Sequence, residues 1–272
     1  MALVESADLQ SGGQALQQEL ADLLAGLSLE RVAQLDSTNA ELMRRARAGC
    51  FAPVLLVAEM QTAGRGRQGR LWHGKAGASL TFSLGLPLAP VDWSGLSLAV
   101  GLSLANSLHA GIGLKWPNDL YWNGCKLGGI LVETATMTAE VAHERASRFV
   151  VVGVGLNLAC PTGLEPPAQA VGLDDLLPDC RANSVLCSVA GGLVQALLDF
   201  ERRGFAPLQK LFAQRDVLAG QEVSLSDGTN GLALGVDARG ALRVQSVCGV
   251  RHIDTLEVSV RPAQRQPAGQ AV

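Results

Sequence analysis

Gln61-Thr-Ala-Gly-Arg-Gly-Arg-Gln-Gly-Arg70 sets three glycines and three arginines into a chain of which only 17% is charged. Glycine lets the backbone take positive φ and approach a ligand closely. Arginine offers a planar fork of donors that matches carboxylate and phosphate oxygens. The apolar run before it, Val54-Leu-Leu-Val-Ala58, predicts a buried strand, and Ser79-Leu-Thr-Phe-Ser-Leu84 after it alternates as a second strand does. An anion-gripping loop is therefore expected between two core strands. Ordering so many glycines costs backbone entropy, so a ligand is expected to order it.

Working outward, the chain has 272 residues, 48% of them hydrophobic, with a formal net charge of −3. That suits one large domain, or one with a small companion, and it is ample for a sizeable core. The charge balance excludes a protein built for bulk nucleic acid, and no basic tail is present. The start, Met-Ala-Leu-Val-Glu-Ser-Ala-Asp, carries acidic residues where a secretion signal needs basic ones. No window is expected to span a membrane, because polar residues interrupt every apolar stretch. Cys50, Cys125, Cys160, Cys180, Cys187 and Cys248 lack a C-x-x-C pair. They are expected to be reduced, mostly buried thiols of a cytoplasmic protein. The four histidines have no zinc-ligand spacing to a cysteine, and no Ser/His/Asp or Cys/His triad pattern is visible.

Leu16, Leu20, Leu23, Leu24 and Leu27 form a helical stripe that either docks on the body or frays. Asp36-Ser-Thr-Asn39 starts a helix, with Thr38 and Glu41 spaced as a capping box, and Gly49 ends it. A helix is expected over about 94–110. Asn123-Gly124 marks a hairpin turn. Lys126–Glu133 and Phe149–Leu158 predict paired strands, followed by a Pro/Asp-rich loop over 159–182 and helices over 184–203 and about 207–214. From Val217 short β segments appear, at Glu222–Leu225, Gly231–Val236, Ala241–Gln245 and Leu256–Val260, with Asp227-Gly228 and Arg239-Gly240 turns between them. They predict a small β-barrel on an α/β body. The last ten residues are expected to be disordered.

Each motif has a plain alternative. The Arg/Gly loop could be a solvated turn or an RG-type nucleic-acid contact, although such contacts usually come in long low-complexity runs. Lys115-Trp-Pro-Asn-Asp119 stands at a strand end, where α/β sheets build sites, or is a turn chosen for its geometry. Lys126 is a snorkelling surface residue or a fixed cation aimed at an anionic group. The following Gly128-Gly129 marks close approach of a ligand or another backbone. Gly153-Val-Gly-Leu-Asn157 lacks the third glycine and the helix of a dinucleotide fingerprint.

In this order, Asp36–Asn39, Gln61–Arg70 with Trp72, Lys115-Trp-Pro-Asn-Asp-Leu-Tyr121, Lys126-Leu-Gly-Gly-Ile-Leu-Val-Glu133 and Gly153–Asn157 resemble the biotin protein ligases. Glu257-Val-Ser-Val-Arg261 matches their C-terminal module more weakly. The resemblance spans about residues 30–262. It implies an α/β (α+β) fold with a mixed sheet: a catalytic domain like class II aminoacyl-tRNA synthetases over 30–216, and an SH3-like barrel over 217–262. Residues 1–29 are then an N-terminal helical extension and 263–272 a tail.

The resemblance also implies a reaction. ATP and biotin, with Mg²⁺, give biotinyl-5′-AMP, and the biotinyl group passes to a lysine of a biotin carboxyl carrier protein. Lys126, Arg65 and Arg67 take the catalytic positions. Ser37, Thr38, Asn39, Gln61, Gly64, Arg65, Gly66, Arg67, Lys126 and Gly129 fall at biotin-binding positions. Arg67, Arg70, Trp72, Asn118, Asp119, Asn157 and Arg261 fall on the nucleotide side, with Asp119 on Mg²⁺. Some members carry a third arginine where this chain has Gln68. The helix-turn-helix of the repressor members has no counterpart in residues 1–30, so a ligase without operator binding is expected. The resemblance leaves a homodimer open. The nearest rival is a lipoate–protein ligase; a rival of another class is a non-enzymatic RNA-binding module.

Overall fold

The structure, a computed structural model, describes residues 7–72, 74–137, 147–161, 169–254 and 260–262. Seven strands make the main sheet: β1 (Ser28–Leu35), β2 (Val54–Gln61), β3 (Ser79–Leu88), β4 (Gly113–Lys115), β5 (Asp119–Trp122), β6 (Cys125–Thr136) and β7 (Arg148–Asn157). Their order is β1-β2-β3-β7-β6-β5-β4. Only β1 and β2 run parallel, and the helix between them, α2 (Thr38–Arg47), makes that crossover. The Arg/Gly loop joins β2 to its antiparallel neighbour β3, as the flanking patterns require.

The alternation of β3 and β7 sorts their side chains onto two faces. Leu80, Phe82, Leu84 and Leu86 lie opposite Leu156, Val154, Val152 and Val150. This face is buried under α1 (Ala7–Leu23), α3 (Leu96–Leu108) and α4 (Ala182–Arg203). On the other face Phe149 and Val151 pack with Leu42, Met43 and Ala46 of α2 in a smaller cluster. Further along that face β7 continues as Gly153, Gly155 and Asn157, and β3 as Ser83, Thr81 and Ser79. The apolar cover stops there.

Several expectations change. The N-terminal stripe docks: Leu16 and Leu20 are buried in the main core, and Gln17 holds β1 by donating to Leu27 O (2.8 Å) and accepting from Leu29 N (2.6 Å). The cap of α2 is Ser37, which accepts from Ala40 N, and not Thr38. α4 has the length and apolarity of a membrane span. It is apolar because Val185, Leu186, Val189, Leu193 and Val194 sit in the core. The six cysteines are free, but Cys50, Cys160 and Cys248 are exposed and the others half-buried. None is fully buried: five lie in loops, in turns or at a strand start and Cys187 lies within α4, so the expectation of buried thiols is wrong.

Arg215 splints the end of α3. Its guanidinium donates to the carbonyls of Ala110 and Ile112 (both 2.9 Å) and of His109 (3.3 Å), where a cation is favoured. It follows the short α5 (Gln209–Ala213) and leads to a second, antiparallel sheet of β8 (Glu222–Leu225), β9 (Asn230–Val236), β10 (Leu242–Ser246), β11 (Gly249–Ile253) and β12 (Val260–Pro262). Its order is β11-β10-β9-β8-β12. Val223, Leu225, Ala233, Leu242, Val244 and Ile253 join the same core cluster as α3 and α4. Trp116 Nε1 donates to Gly240 O at 3.0 Å, and Gly240 backs so closely on Gly95 that a Cβ would stand 2.8 Å from its Cα. The expected strand at Leu256–Val260 falls largely outside the described residues, as does the tail from 263.

Candidate active site

Among the described residues, the buried polar side chains are Ser37, Thr38, Asn39, Thr81, Ser83 and Asn157. All belong to the start of α2 or to the β3–β7 face where its apolar cover stops. Buried polar groups cost stability unless they are bonded, so their collection in one place marks a built site.

At the head of α2, Thr38 N donates to Gln61 Oε1 (2.7 Å) and the Thr38 hydroxyl lies 2.7 Å from Ser83 Oγ. Ser83 Oγ lies 2.6 Å from Asn39 Oδ1, and Asn39 Nδ2 donates to Glu133 Oε2 (2.9 Å). Gly153 lets this helix end settle on the sheet, because a Cβ there would fall on Asn39 Oδ1.

The Arg/Gly loop closes over this wall. Trp72 N donates to Gly64 O (2.9 Å) and Gly66 N to Arg70 O (2.7 Å). A Cβ on buried Gly64 would stand 2.7 Å from Trp72 O, so the loop cannot close with another residue there. The Trp72 ring lies across Gly155, where a Cβ would meet its Cε2 at 2.5 Å. Trp72 Nε1 is buried with no hydrogen-bond partner among the described residues. An indole N–H is a donor only, so it is aimed at an acceptor that the surrounding side chains do not supply. Arg65 and Arg70 are exposed on the loop, whereas Arg67 is half-buried. Arg67 Nη1 donates to Asn118 Oδ1 at 2.9 Å. Burial pulls the Arg67 pKa down, with nearby Asp119 opposing the shift.

Asn118 is pinned to β6 through its own side chain, which donates to Ile130 O at 2.7 Å. In β5 Asp119 lies opposite Gly129. Its Oδ1 is 2.6 Å from Lys126 Nζ, and both atoms lie within 3.4 Å of where a Cβ on Gly129 would stand. Gly128, by contrast, faces backbone: a Cβ there would meet Gly155 O at 2.6 Å. Asn157 Nδ2 donates to Lys126 O and Val171 O, both at 3.3 Å, tying the end of β7 to the lysine's own backbone. Lys126 is thus a positioned cation with a carboxylate partner rather than a solvated side chain.

The structure brings Ser37, Thr38, Asn39, Gln61, Gly64 and Trp72 together along one wall. Arg67 links the loop to a second wall of Asn118, Asp119, Lys126, Gly129 and Asn157. Gly66 lies within the loop turn. The backbone of Arg261 pairs with Ser224 in the second sheet. Sequence reading missed Ser83, Thr81, Glu133 and Gly155 as parts of the site. The available signal was Ser79, Thr81 and Ser83 alternating with apolar residues in a strand buried on both faces. For a metal, no cluster of three or more His, Cys, Asp or Glu is present among the described residues. Asp119 is a single carboxylate, which suits a Mg²⁺ carried mainly by phosphate oxygens and water and not a protein-built cage.

The pattern of the biotin/lipoate A/B protein ligase family matches residues 32–157. The biotin–[acetyl-CoA-carboxylase] ligase of Paracoccus denitrificans is 33% identical over 84% of this chain and 98% of its own length. The bifunctional ligase/repressor BirA of Escherichia coli is 31% identical over 89% of this chain and 77% of its own. A biotin–[acetyl-CoA-carboxylase] ligase of Mycobacterium tuberculosis is 44% identical, but over 53% of this chain and 54% of its own length. The solved biotin protein ligase of Aquifex aeolicus, in complex with biotin and ATP, superposes with a TM-score of 0.70 over 86% of this chain and 99% of that one, at 25% identity. The chain belongs to the biotin/lipoate A/B protein ligase family.

Proposed function

We infer that this protein activates biotin with ATP and transfers the biotinyl group to a lysine of a biotin carboxyl carrier protein. The observation that carries this reading is the pairing of two walls across one glycine-lined floor: a neutral hydrogen-bonding wall at α2, and the cationic wall of Lys126 and Arg67 beside Asn118 and Asp119. The first suits an uncharged polar ring, the second a carboxylate and a phosphate.

In the first step a biotin carboxylate oxygen attacks the α-phosphorus of ATP. The bond to the β-phosphate oxygen breaks, and pyrophosphate leaves with the electron pair. Two anions must meet, so the catalytic requirement is neutralisation and alignment. Lys126 Nζ would exchange its bond to Asp119 for carboxylate and phosphate oxygens, and Arg67 would reach the same oxygens from the closing loop. Arg65 and Arg70, on the loop's exposed side, would join as it tightens, with Gly64 and Gly66 allowing the backbone to approach. Trp72 would cover the adenylate, and its unpartnered N–H would find an acceptor there. Ser37, Thr38, Asn39 and Gln61 would hold the biotin ring, above Gly129. Asn118 and Asn157 would fix the nucleotide end. Mg²⁺ would neutralise the triphosphate, with Asp119 as its protein carboxylate. In the second step the carrier lysine's amine attacks the acyl carbon, AMP leaves, the amine loses a proton, and an amide forms.

The catalytic body would span residues 30–216, of the class II aminoacyl-tRNA synthetase type, with residues 1–29 as a docked extension. The second sheet, 217–262, would be an SH3-like barrel contributing Arg261 near the nucleotide. No operator binding is proposed. Biotin-dependent exchange of pyrophosphate into ATP tests the reading; exchange with lipoate but not with biotin would sink it.

A further inference from the structure

One rung of the main sheet crosses the site from end to end. Thr81 of β3 lies opposite Gly155, Gly155 opposite Gly129, Gly129 opposite Asp119, and Asp119 opposite Lys115 of β4. Residues directly opposite share a face, so Lys115 stands on the site face, on the last strand of the sheet. Tyr121, two residues beyond Asp119, shares that face and lies opposite Lys126. Two lysines therefore flank one carboxylate: Lys126 from β6, bonded to Asp119 at 2.6 Å, and Lys115 from β4.

Lys115 is a positioned side chain. It is half-buried, its Nζ donates to the Tyr121 hydroxyl at 3.1 Å, and it lies 5.0 Å from the centre of the Tyr121 ring, where the ring attracts a cation. Burial pushes the Tyr121 hydroxyl up to about 12, with Asp119 and Cys125 adding to the shift. The phenol therefore bonds the lysine as a neutral group and does not cancel its charge.

We propose that Lys115 is a catalytic cation of the adenylating step, holding the β- and γ-phosphates and the pyrophosphate they become, and that Tyr121 positions it. The proposal rests on the reading above and adds the leaving-group end of that site. In that reading both halves of the adenylate lie toward β7: the biotin ring at the head of α2, and the adenosine under Trp72, whose ring covers Gly155. Lys126 meets the α-phosphate on β6. Displacement at phosphorus is roughly in line, so pyrophosphate departs away from the biotin carboxylate, toward β5 and β4. As the bond from the α-phosphorus to the bridging oxygen breaks, that oxygen keeps the electron pair and negative charge builds on the leaving group. No proton has to move; a fixed cation stabilises the charge where it develops. Asp119 offsets the charge of Lys126, and Lys115 makes the wall net positive again at its outer end.

The test exploits the fact that biotinyl-5′-AMP keeps the α-phosphate and lacks the other two. Lys115→Met retains the apolar stem and removes the charge. It is expected to lower kcat/KM for ATP in biotin adenylation about 100-fold and to raise the KM for pyrophosphate in the reverse reaction at least about tenfold. Affinity for biotinyl-5′-AMP, measured by calorimetry, should stay within about twofold. Lys115→Arg, which restores a cation, is expected to recover at least about tenfold of the lost kcat/KM. Tyr121→Phe keeps the ring and loses the hydroxyl; it should raise the pyrophosphate KM about threefold with biotinyl-5′-AMP affinity unchanged, a split that a merely structural role would not produce. A near-normal adenylation rate in Lys115→Met would overturn the proposal, and so would equal losses for pyrophosphate and for biotinyl-5′-AMP. Should circular dichroism show Lys115→Met misfolded, Tyr121→Phe decides by the same split. If the wild-type protein exchanges pyrophosphate with lipoate and not with biotin, the functional reading falls and the proposal with it. If biotin-dependent exchange is intact and the Lys115 variants behave as wild type, only the proposal falls.

Discussion

The β3–β7 pair has one chain of residues and two unlike faces. Leu80, Phe82, Leu84 and Leu86 with Val150, Val152, Val154 and Leu156 form an unbroken apolar surface under three helices. The opposite face is apolar only beneath α2, and then becomes Ser83, Thr81, Gly153, Gly155 and Asn157. The first face uses side-chain volume to hold the sheet. The second withholds volume, so that Asn39 and Trp72 can lie on the backbone. Within a single strand, the pleat separates the apolar core from the candidate site.

The comparison can be broken most severely on the site face. Lys126→Ala should lower biotin adenylation at least about 100-fold, the usual loss when a charge acting on the transition state is removed. The circular dichroism spectrum should be unchanged, because the lysine is a third exposed. A near-normal rate would show that the cationic wall lies elsewhere. On the covered face Leu84→Ala should do the reverse. It leaves a cavity in the main core and should cost about 3 kcal/mol of unfolding free energy, read by urea denaturation, with the biotin KM held within about twofold. A changed KM at full stability would mean that the faces are not independent.

Gly155→Ala sharpens the comparison. Its Cβ would stand 2.5 Å from Trp72 Cε2, so the indole must lift. Adenylate affinity should drop about tenfold, measured by calorimetry, with little change in melting temperature. Tight binding with a large melting shift would make this glycine structural.

The smallest effect lies away from both faces, at Asp216 between the sheets. Its Oδ2 is buried without a partner among the described residues. Burial pushes its pKa up, against donors from Leu218 and Ala219. The folded state therefore holds the proton more tightly than the unfolded state, and stability falls as pH rises from the ordinary carboxylate range through the raised value. Asp216→Asn should be more stable by about 1 kcal/mol at neutral pH and lose that advantage below the ordinary carboxylate range. A melting difference that does not vary with pH would refute the assignment.

The site's cationic half was legible, because Arg67, Asn118, Asp119, Lys126 and Asn157 lie in short motifs whose chemistry is visible without the fold. Its buried neutral half was legible only in part. Thr38 and Glu41 have the spacing of a capping box, yet Ser37 fills the cap and Thr38 is turned to Ser83, 45 positions away. Ser83 and Glu133 sit in strands that periodicity labels correctly while hiding what they face. β1 escaped notice because it is a sheet edge on which only Val32 is fully buried, and Glu30 and Arg31 break its pattern. β11 was missed for a similar reason: of Gly249–Ile253 only Ile253 is buried. Arg215 gave no local signal, since its partners lie some hundred residues upstream.

The continuous core across the two sheets has a thermal consequence. Leu242, Val244 and Ile253 share their cluster with Leu98, Leu197 and Phe212, and the Trp116 indole is anchored on the Gly240 carbonyl. Detaching the second sheet would expose one side of this cluster to water, which is unfavourable in proportion to the area uncovered. The two sheets should therefore melt as one cooperative unit, with a single endotherm whose calorimetric and van't Hoff enthalpies agree.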